Sequence, residues 1–245
     1  MTNEERWLLN EKYGGTDSAA FREDAARLAG GEPLAYLIGS IPFLGATIGL
    51  SSRPLIPRAE TEYWVSFVLA EIGKKNGGVR ILDLCAGSGA IGVALACSLP
   101  HAQVHFAEID AAHHATIREN CAQNGIAEDR TKIIGGDLFE EVRGEYDYIL
   151  SNPPYLAYGS PEIETSVRDH EPPLALYAAD DGFALIRRII EGAGAHLAPG
   201  GSLYIEHDPH HATPLSACAE ANDFDCHTLL DQYGLPRVCV LSFRK

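Results

Sequence analysis

The chain is 245 residues long, 46% hydrophobic and 22% charged, which suffices for one sizeable core and a small accessory element. Lys plus Arg number 19 against 34 Asp plus Glu, for a net charge of −15; with the basic residues dispersed, this argues against stable binding to nucleic-acid phosphates and favours a protein substrate. No apolar run approaches the length of a membrane span, and the polar, acidic start Thr2-Asn3-Glu4-Glu5-Arg6 does not read as a secretory signal.

Residues Met1 to about Ala29 read as helical, with Trp7, Leu8, Leu9, Tyr13, Phe21 and Leu28 as their apolar groups. These are too few for an independent core, so the segment is expected to pack on its neighbours, the hairpin or the large domain after it. Tyr36 to Leu55 holds Gly39, Pro42, Gly45 and Gly49 and reads as a β-hairpin. Glu60 to Ile72 reads as an amphipathic helix, followed by a polar turn from Gly73 to Gly78.

Val79 to Leu84 is a short apolar strand, and Cys85-Ala86-Gly87-Ser88-Gly89-Ala90-Ile91-Gly92 follows directly, ahead of the small-residue helical run Val93 to Cys97. A strand, a glycine turn and a helix form a place where a nucleotide-like cofactor can lie against backbone and helix N-terminus. The spacing Gly87-x-Gly89-x-x-Gly92 also matches a dinucleotide fingerprint. Asp83 stands just before the turn, where a carboxylate would repel a pyrophosphate. An acid there suits a cofactor with a cationic amino-acid end, such as S-adenosyl-L-methionine. The next strand, Gln103 to Glu108, ends in an acid 19 residues beyond Gly89, about where a carboxylate accepts ribose hydroxyls in such folds; the plainer alternative is a solvated strand end. Asp110 reads as a helix N-cap and His113-His114 as helix-surface residues. A third strand, Thr131 to Ile134, runs into Asp137, Leu138 and Phe139. Asp137 either accepts an adenine amine, with Leu138 and Phe139 covering the ring, or is a turn carboxylate.

Tyr146 to Ser151 reads as a buried strand ended by Asn152-Pro153-Pro154-Tyr155. Two prolines cannot donate to a sheet ladder, so the chain leaves the strand rigid and extended. An amide side chain, a backbone carbonyl and an aromatic ring at that tip suit a planar amine or amide undergoing group transfer; by itself the stretch also reads as a proline turn. Leu156 to Pro173, with Glu162, Glu164 and Arg168, is long, polar and rich in proline and charge, as a substrate-facing loop is. Ser202 to Ile205 is a strand, and Glu206-His207-Asp208-Pro209-His210-His211 reads as a loop near the cofactor pocket rather than a metal site, since no fixed helical ligand pair is present. Cys226 to Leu230 and Arg237 to Phe243 read as a close antiparallel pair around Tyr233-Gly234. The six cysteines (Cys85, Cys97, Cys121, Cys218, Cys226 and Cys239) include no C-x-x-C pair and read as reduced thiols in a cytoplasmic protein. The alternation of strands and helices from Val79 to Ile205 predicts an α/β fold with a parallel sheet and crossover helices.

The motifs together resemble the HemK family of protein glutamine methyltransferases, which modify peptide chain release factors. The resemblance runs from about Gly30 to the C-terminus through Gly31-Glu32-Pro33-Leu34-Ala35-Tyr36-Leu37-Ile38-Gly39, Leu55-Ile56-Pro57-Arg58-Ala59-Glu60-Thr61-Glu62, Asp83 to Gly89, Asn152 to Tyr155, Glu171-Pro172, Asp181-Gly182 and Glu206-His207. The chain departs from the family pattern at Ala59, where the family has proline, and in a short stretch ahead of Gly30 where the family has a helical domain.

The resemblance implies a Rossmann-like methyltransferase fold, seven-stranded and mostly parallel with its last strand antiparallel. It divides the chain into a short helical segment (1–29), a hairpin linker (30–57) and a catalytic domain (58–245). It further implies transfer of the S-adenosyl-L-methionine methyl to the glutamine amide nitrogen in the Gly-Gly-Gln motif of class 1 release factors, leaving S-adenosyl-L-homocysteine. By position, Asp83 and Cys85, Ala86, Gly87, Ser88 and Gly89 would hold the methionine end of the cofactor, Glu108 the ribose, and Asp137 with Leu138 the adenine. Asn152, Pro153, Pro154 and Tyr155 would hold the glutamine amide, with Asn152 also near the cofactor, and Arg58 would line the entrance. Glutamine methylation of a ribosomal protein and methylation of an adenine amine in nucleic acid are the alternatives. A monomeric cytoplasmic enzyme with no metal and no membrane attachment is expected.

Overall fold

The computed structural model describes residues 1–75, 77–160 and 163–244. Two helices open the chain, α1 (Asn3–Tyr13) and α2 (Ala19–Ala29), followed by the short α3 (Leu34–Ile38). Thr2 caps α1 in a reciprocal box with Glu5, and Gly14 ends it in the left-handed conformation. Leu8, Phe21 and Leu37 close on one another as a small apolar cluster of these three helices. The first helices therefore pack on the segment expected to form the hairpin, but its start, Leu34–Ile38, is helical and supplies the buried Leu37.

The strands β1 (Ser40–Phe43) and β2 (Ala46–Gly49) form the expected antiparallel hairpin. It is pinned to the rest of the protein by three side-chain amides: Asn124 Oδ1 accepts the Thr47 N–H, Asn124 Nδ2 and Gln123 Nε2 donate to the Thr47 carbonyl, and Asn120 holds Gly49. Asn120 Oδ1 accepts from the Gly49 N–H, while its Nδ2 donates to the carbonyls of Gly49 and Ser88.

The remaining elements are α4 (Ala59–Ile72), β3 (Val79–Leu84), α5 (Ala90–Ser98), β4 (Ala102–Glu108), α6 (Ala111–Gln123), β5 (Thr131–Gly135), β6 (Tyr146–Ser151), α7 (Thr165–His170), α8 (Pro173–Leu176), α9 (Ala184–Ala193), β7 (Leu197–Glu206), α10 (Ala212–Ala221), β8 (Phe224–Leu230) and β9 (Pro236–Phe243). Seven strands form one sheet in the order β5-β4-β3-β6-β7-β9-β8. All pairings are parallel except those of β9, which runs antiparallel to both β7 and β8.

Alternate strand residues face opposite layers. Ile81, Phe106 and Tyr148 pack with α4, α5 and α6, while Leu82, Ala107 and Ile149 pack with α9 and α10. The strand order reverses between β3 and β6, which puts a crevice at their carboxyl ends.

The reading of all six cysteines as reduced thiols is corrected at β8–β9. Cys226 and Cys239 are joined in a disulfide, whereas Cys85, Cys97, Cys121 and Cys218 are free. The register pairs Cys226 with Leu241 and Thr228 with Cys239, so the two cysteines are diagonal neighbours with Cα atoms 6.3 Å apart, within bridging range.

Candidate active site

The crevice holds an open cavity, whose walls include Cys85, Gly87, Glu108, Asp110, Asp137, Leu138, Asn152 and Pro154. Apolar surface comes from Leu55, Ile109, Leu174 and Leu185. Three carboxylates and no Lys or Arg are among the described wall residues. Such a wall disfavours a pyrophosphate and favours a ligand with cationic and hydroxyl groups.

The glycine turn is held from both sides. Glu108, the last residue of β4, accepts the Gly87 N–H at 2.7 Å on one oxygen and the Asp110 N–H at 2.8 Å on the other. Each oxygen retains a lone pair, and the residue lines the cavity. Asp83 occupies a different place from the one expected of it. Its carboxylate is buried beneath the turn, accepts the Gly92 N–H at 2.8 Å, and is not among the cavity walls. Burial pushes its pKa up to about 8, opposed by the Gly92 bond and reinforced by Glu108. Gly89 also faces inward: a Cβ there would sit 3.3 Å from Ile117 and Phe106. Gly92 is tighter still, since a Cβ would reach 2.3 Å from the Phe106 ring. The third glycine of the fingerprint thus lets α5 press onto β4. Ala86 and Ser88 line a smaller adjoining cavity with Thr61 and Asn152.

Asp137 and Leu138 lie side by side on the wall, as the sequence places them. Asp137 pairs with Arg188 at 2.9 Å, and both side chains are partly solvated. Phe139 is not on the main cavity wall; its ring stacks on His196 at 4.8 Å. The helix-surface reading of His113-His114 also needs correction. His113 is buried, lines the cavity and bonds Ser52, and His114 bonds the Glu108 carbonyl at 2.9 Å. Asp110 caps α6 as read, accepting the Ala112 N–H.

Asn152 follows β6 immediately, at the junction of the main cavity with two smaller ones. One of these is walled by Leu55, Arg58, Asn152, Pro153, Tyr155 and Leu156. The structure therefore brings the glycine turn, Glu108, Asp137, Leu138 and the Asn-Pro-Pro-Tyr stretch to one place. Arg58 is held there by Glu171, whose Oε1 lies 2.6 Å from the guanidinium while Oε2 accepts the Ile56 N–H. Glu162 lies outside the described residues; Glu164 and Arg168 are exposed at α7.

The sequence reading missed one group of residues. Glu206 is the last residue of β7 and is buried, not part of a loop. Its Oε2 accepts from Thr61 Oγ1 and from Trp64 Nε1, both at 2.7 Å, and its Oε1 accepts from Tyr155 Oη at 3.0 Å. Thr61 in turn accepts from Asn152 Nδ2 at 3.2 Å. Burial raises the Glu206 pKa, opposed by its donors and by Arg237, and burial with the Glu206 charge raises that of Tyr155. The available signal was Thr61 and Trp64 three apart on an otherwise apolar helix face, two polar groups needing a buried acceptor.

A seven-stranded sheet of this order, with a glycine turn after its first strand and an acid after its second, defines the protein as a Rossmann-like methyltransferase. Residues 65–168 match the methyltransferase small domain family. The fold is shared with the N-terminal domain of human METTL16, solved with SAH, at a TM-score of 0.55 and 18% identity, covering 78% of this chain and 74% of that one. In sequence, the chain is similar to the release factor glutamine methyltransferase of Bordetella pertussis, 36% identical over 95% of this chain and 87% of that protein. A like protein of Streptococcus pneumoniae is 34% identical over 96% and 84%. The chain belongs to the release factor glutamine methyltransferase family.

Proposed function

We propose that the protein uses S-adenosyl-L-methionine to methylate the side-chain amide nitrogen of the glutamine in the Gly-Gly-Gln motif of a class 1 release factor. The observation that carries this is Asn152-Pro153 standing at the junction of the acidic-walled cavity and a side cavity lined by Arg58 and Tyr155. The residues fit the cofactor. Glu108 retains lone pairs for ribose hydroxyls, Asp137 and Leu138 offer an acceptor and an apolar cover for adenine, and Gly87 has open space above it. Cys85 to Gly89 support the methionine end, with Asp83 and Gly89 shaping the turn from beneath.

When bound, S-adenosyl-L-methionine supplies an electrophilic methyl; the glutamine nitrogen bonds to its carbon as the carbon–sulfur bond breaks and the electron pair stays on sulfur. The chain's residues orient the nitrogen. The Asn152 Oδ1 and the Pro153 carbonyl accept its two N–H groups, which eases loss of amide delocalisation as the new bond forms. Pro154 keeps that backbone extended, and Tyr155 flanks the planar group. The proton leaves after methylation, when the nitrogen is strongly acidic, so no carboxylate here needs to act as a strong base. Among the described residues no helix is long and apolar enough to cross a membrane, and the proposal includes action as a cytoplasmic monomer without stable nucleic-acid binding.

The test offers labelled S-adenosyl-L-methionine with release factors, ribosomal proteins and nucleic acid side by side. Label on the Gly-Gly-Gln glutamine is expected; label confined to nucleic acid or a ribosomal protein would overturn the substrate.

A further inference from the structure

We propose that Thr61 and Glu206 fix which end of the Asn152 amide faces the substrate, and thereby make the site select an amide over a carboxylate. This rests on the function proposed above. The two ends of an asparagine amide are nearly equal in shape and opposite in hydrogen-bond sense. With Oδ1 toward the substrate, the site accepts from an N–H. With Nδ2 there, it offers hydrogens to an acceptor, as a carboxylate would want.

Hydrogen counting decides between them. Thr61 has one hydroxyl hydrogen, and it goes to Glu206 Oε2 at 2.7 Å. The same oxygen receives the Trp64 indole N–H, and an indole can only donate. Glu206 Oε2 is therefore an acceptor of two hydrogens, while Oε1 accepts that of Tyr155. Thr61 has only a lone pair left for Asn152, 3.2 Å away. A flipped Asn152 would set Oδ1 against that lone pair with no hydrogen between. Thr61, Trp64 and Glu206 are at most 3% exposed, so the three groups bond one another rather than bulk solvent. The relay runs from the end of β7 through one turn of α4 to the end of β6, all rigid elements. Thr61 and Glu206 are positioning residues: they act on the substrate through Asn152.

The test compares wild type with T61V, T61A and T61S on a release factor carrying Gly-Gly-Gln and on its Gly-Gly-Glu counterpart. T61V and T61A should bind S-adenosylhomocysteine within about threefold of wild type and keep KM for the glutamine substrate, but lower kcat about 10- to 100-fold. Preference for binding the glutamine over the glutamate protein should fall at least about fivefold, and T61S should restore both. In the S-adenosylhomocysteine complex, the Asn152 side-chain amide hydrogens should be protected from exchange in wild type and T61S and unprotected in T61V. Wild-type kcat and undiminished discrimination in a folded T61V or T61A would overturn the relay, as would equal exchange in wild type and T61V. Absence of wild-type transfer to glutamine would instead sink the functional reading alone, leaving the exchange measurement to decide the relay.

Discussion

Two carboxyl-bearing residues and one amide divide the work of the site, and their variants separate binding from chemistry. Glu108 lines the main cavity with both oxygens anchored on backbone N–H groups, so under the proposed function Glu108→Ala removes a cofactor contact and loosens the Gly87 turn together. Cofactor affinity is expected to fall at least about tenfold by isothermal calorimetry. Asn152→Ala should leave that affinity within about tenfold and lower methyl transfer 100-fold or more, the scale of losing one oriented polar group at a reacting centre. If both variants moved only cofactor affinity, Asn152 would not hold the acceptor amide. Asp83 makes a pH prediction. Burial, with the nearby Glu108 charge, lifts its folded pKa to about 8 against an ordinary carboxylate value in the unfolded chain. Between roughly pH 4 and pH 8 the unfolded state binds fewer protons than the folded one, so this group's contribution to stability falls as pH rises through that window and is constant above it. Asp83→Asn keeps an acceptor for the Gly92 N–H and does not ionise. Its Tm relative to wild type should therefore climb from pH 5 to pH 8 and then level; a difference independent of pH would refute the buried-acid reading. The acid itself was visible in the sequence, but its direction was not, because a strand residue before a turn can face either layer and only the packing of α5 decides.

At the scale of elements, the loop before α9 is braced directly against the Asn-Pro-Pro-Tyr backbone. Asp180, Asp181 and Gly182 all have positive φ, and His211 bonds the Asp181 carbonyl at 2.9 Å. A Cβ on Gly182 would come 2.1 Å from the Tyr155 carbonyl oxygen, at a φ of +85°. Gly182→Ala should cost at least about 2 kcal/mol, or roughly 4–8 °C in Tm, and slow methyl transfer by moving Tyr155. An unchanged Tm by calorimetry would rule out this close approach. Most elements themselves were legible: the hairpin from its glycines, the strands Val79 to Leu84 and Tyr146 to Ser151 from apolar runs, and the final antiparallel pair from Tyr233-Gly234. What was not legible depends on contacts between elements far apart in the chain. Glu206 and Thr61 are 145 residues apart and Glu171 and Arg58 are 113 apart, and no local pattern reveals such pairs. His113 read as surface because helix periodicity cannot foresee that residues 51 and 52 fold over it.

Over the whole molecule, the apolar interior falls into two layers against the sheet and a third, separate cluster at the N-terminus. That cluster contains Leu8, Phe21 and Leu37, the last contributed by α3. It is tied to the entrance of the site by polar links. Glu32 pairs with Arg27 and Arg53 at 2.8 Å each, and the Arg53 guanidinium lies 4.2 Å from the Tyr36 ring centroid. The Tyr36 hydroxyl bonds the Pro54 carbonyl, just ahead of Leu55 and Arg58. Removing residues 1–29 uncovers Leu37 and leaves the two sheet layers untouched. Re-exposing one such leucine costs about 2 kcal/mol, so the shortened chain should fold with Tm lower by roughly 4–8 °C and bind S-adenosylhomocysteine within about twofold of the intact protein. The release factor would then be gripped chiefly by the hairpin, the Arg58 loop and the segment after Tyr155. KM for the release factor should accordingly change less than about threefold on truncation. Alanine at both Glu164, just before α7, and Arg168, on it, both exposed, should raise that KM more while sparing cofactor affinity. A truncated protein of unchanged Tm that no longer recognises the release factor would make α1 and α2 the docking element, and would reverse this division of labour between the N-terminal cluster and the catalytic face.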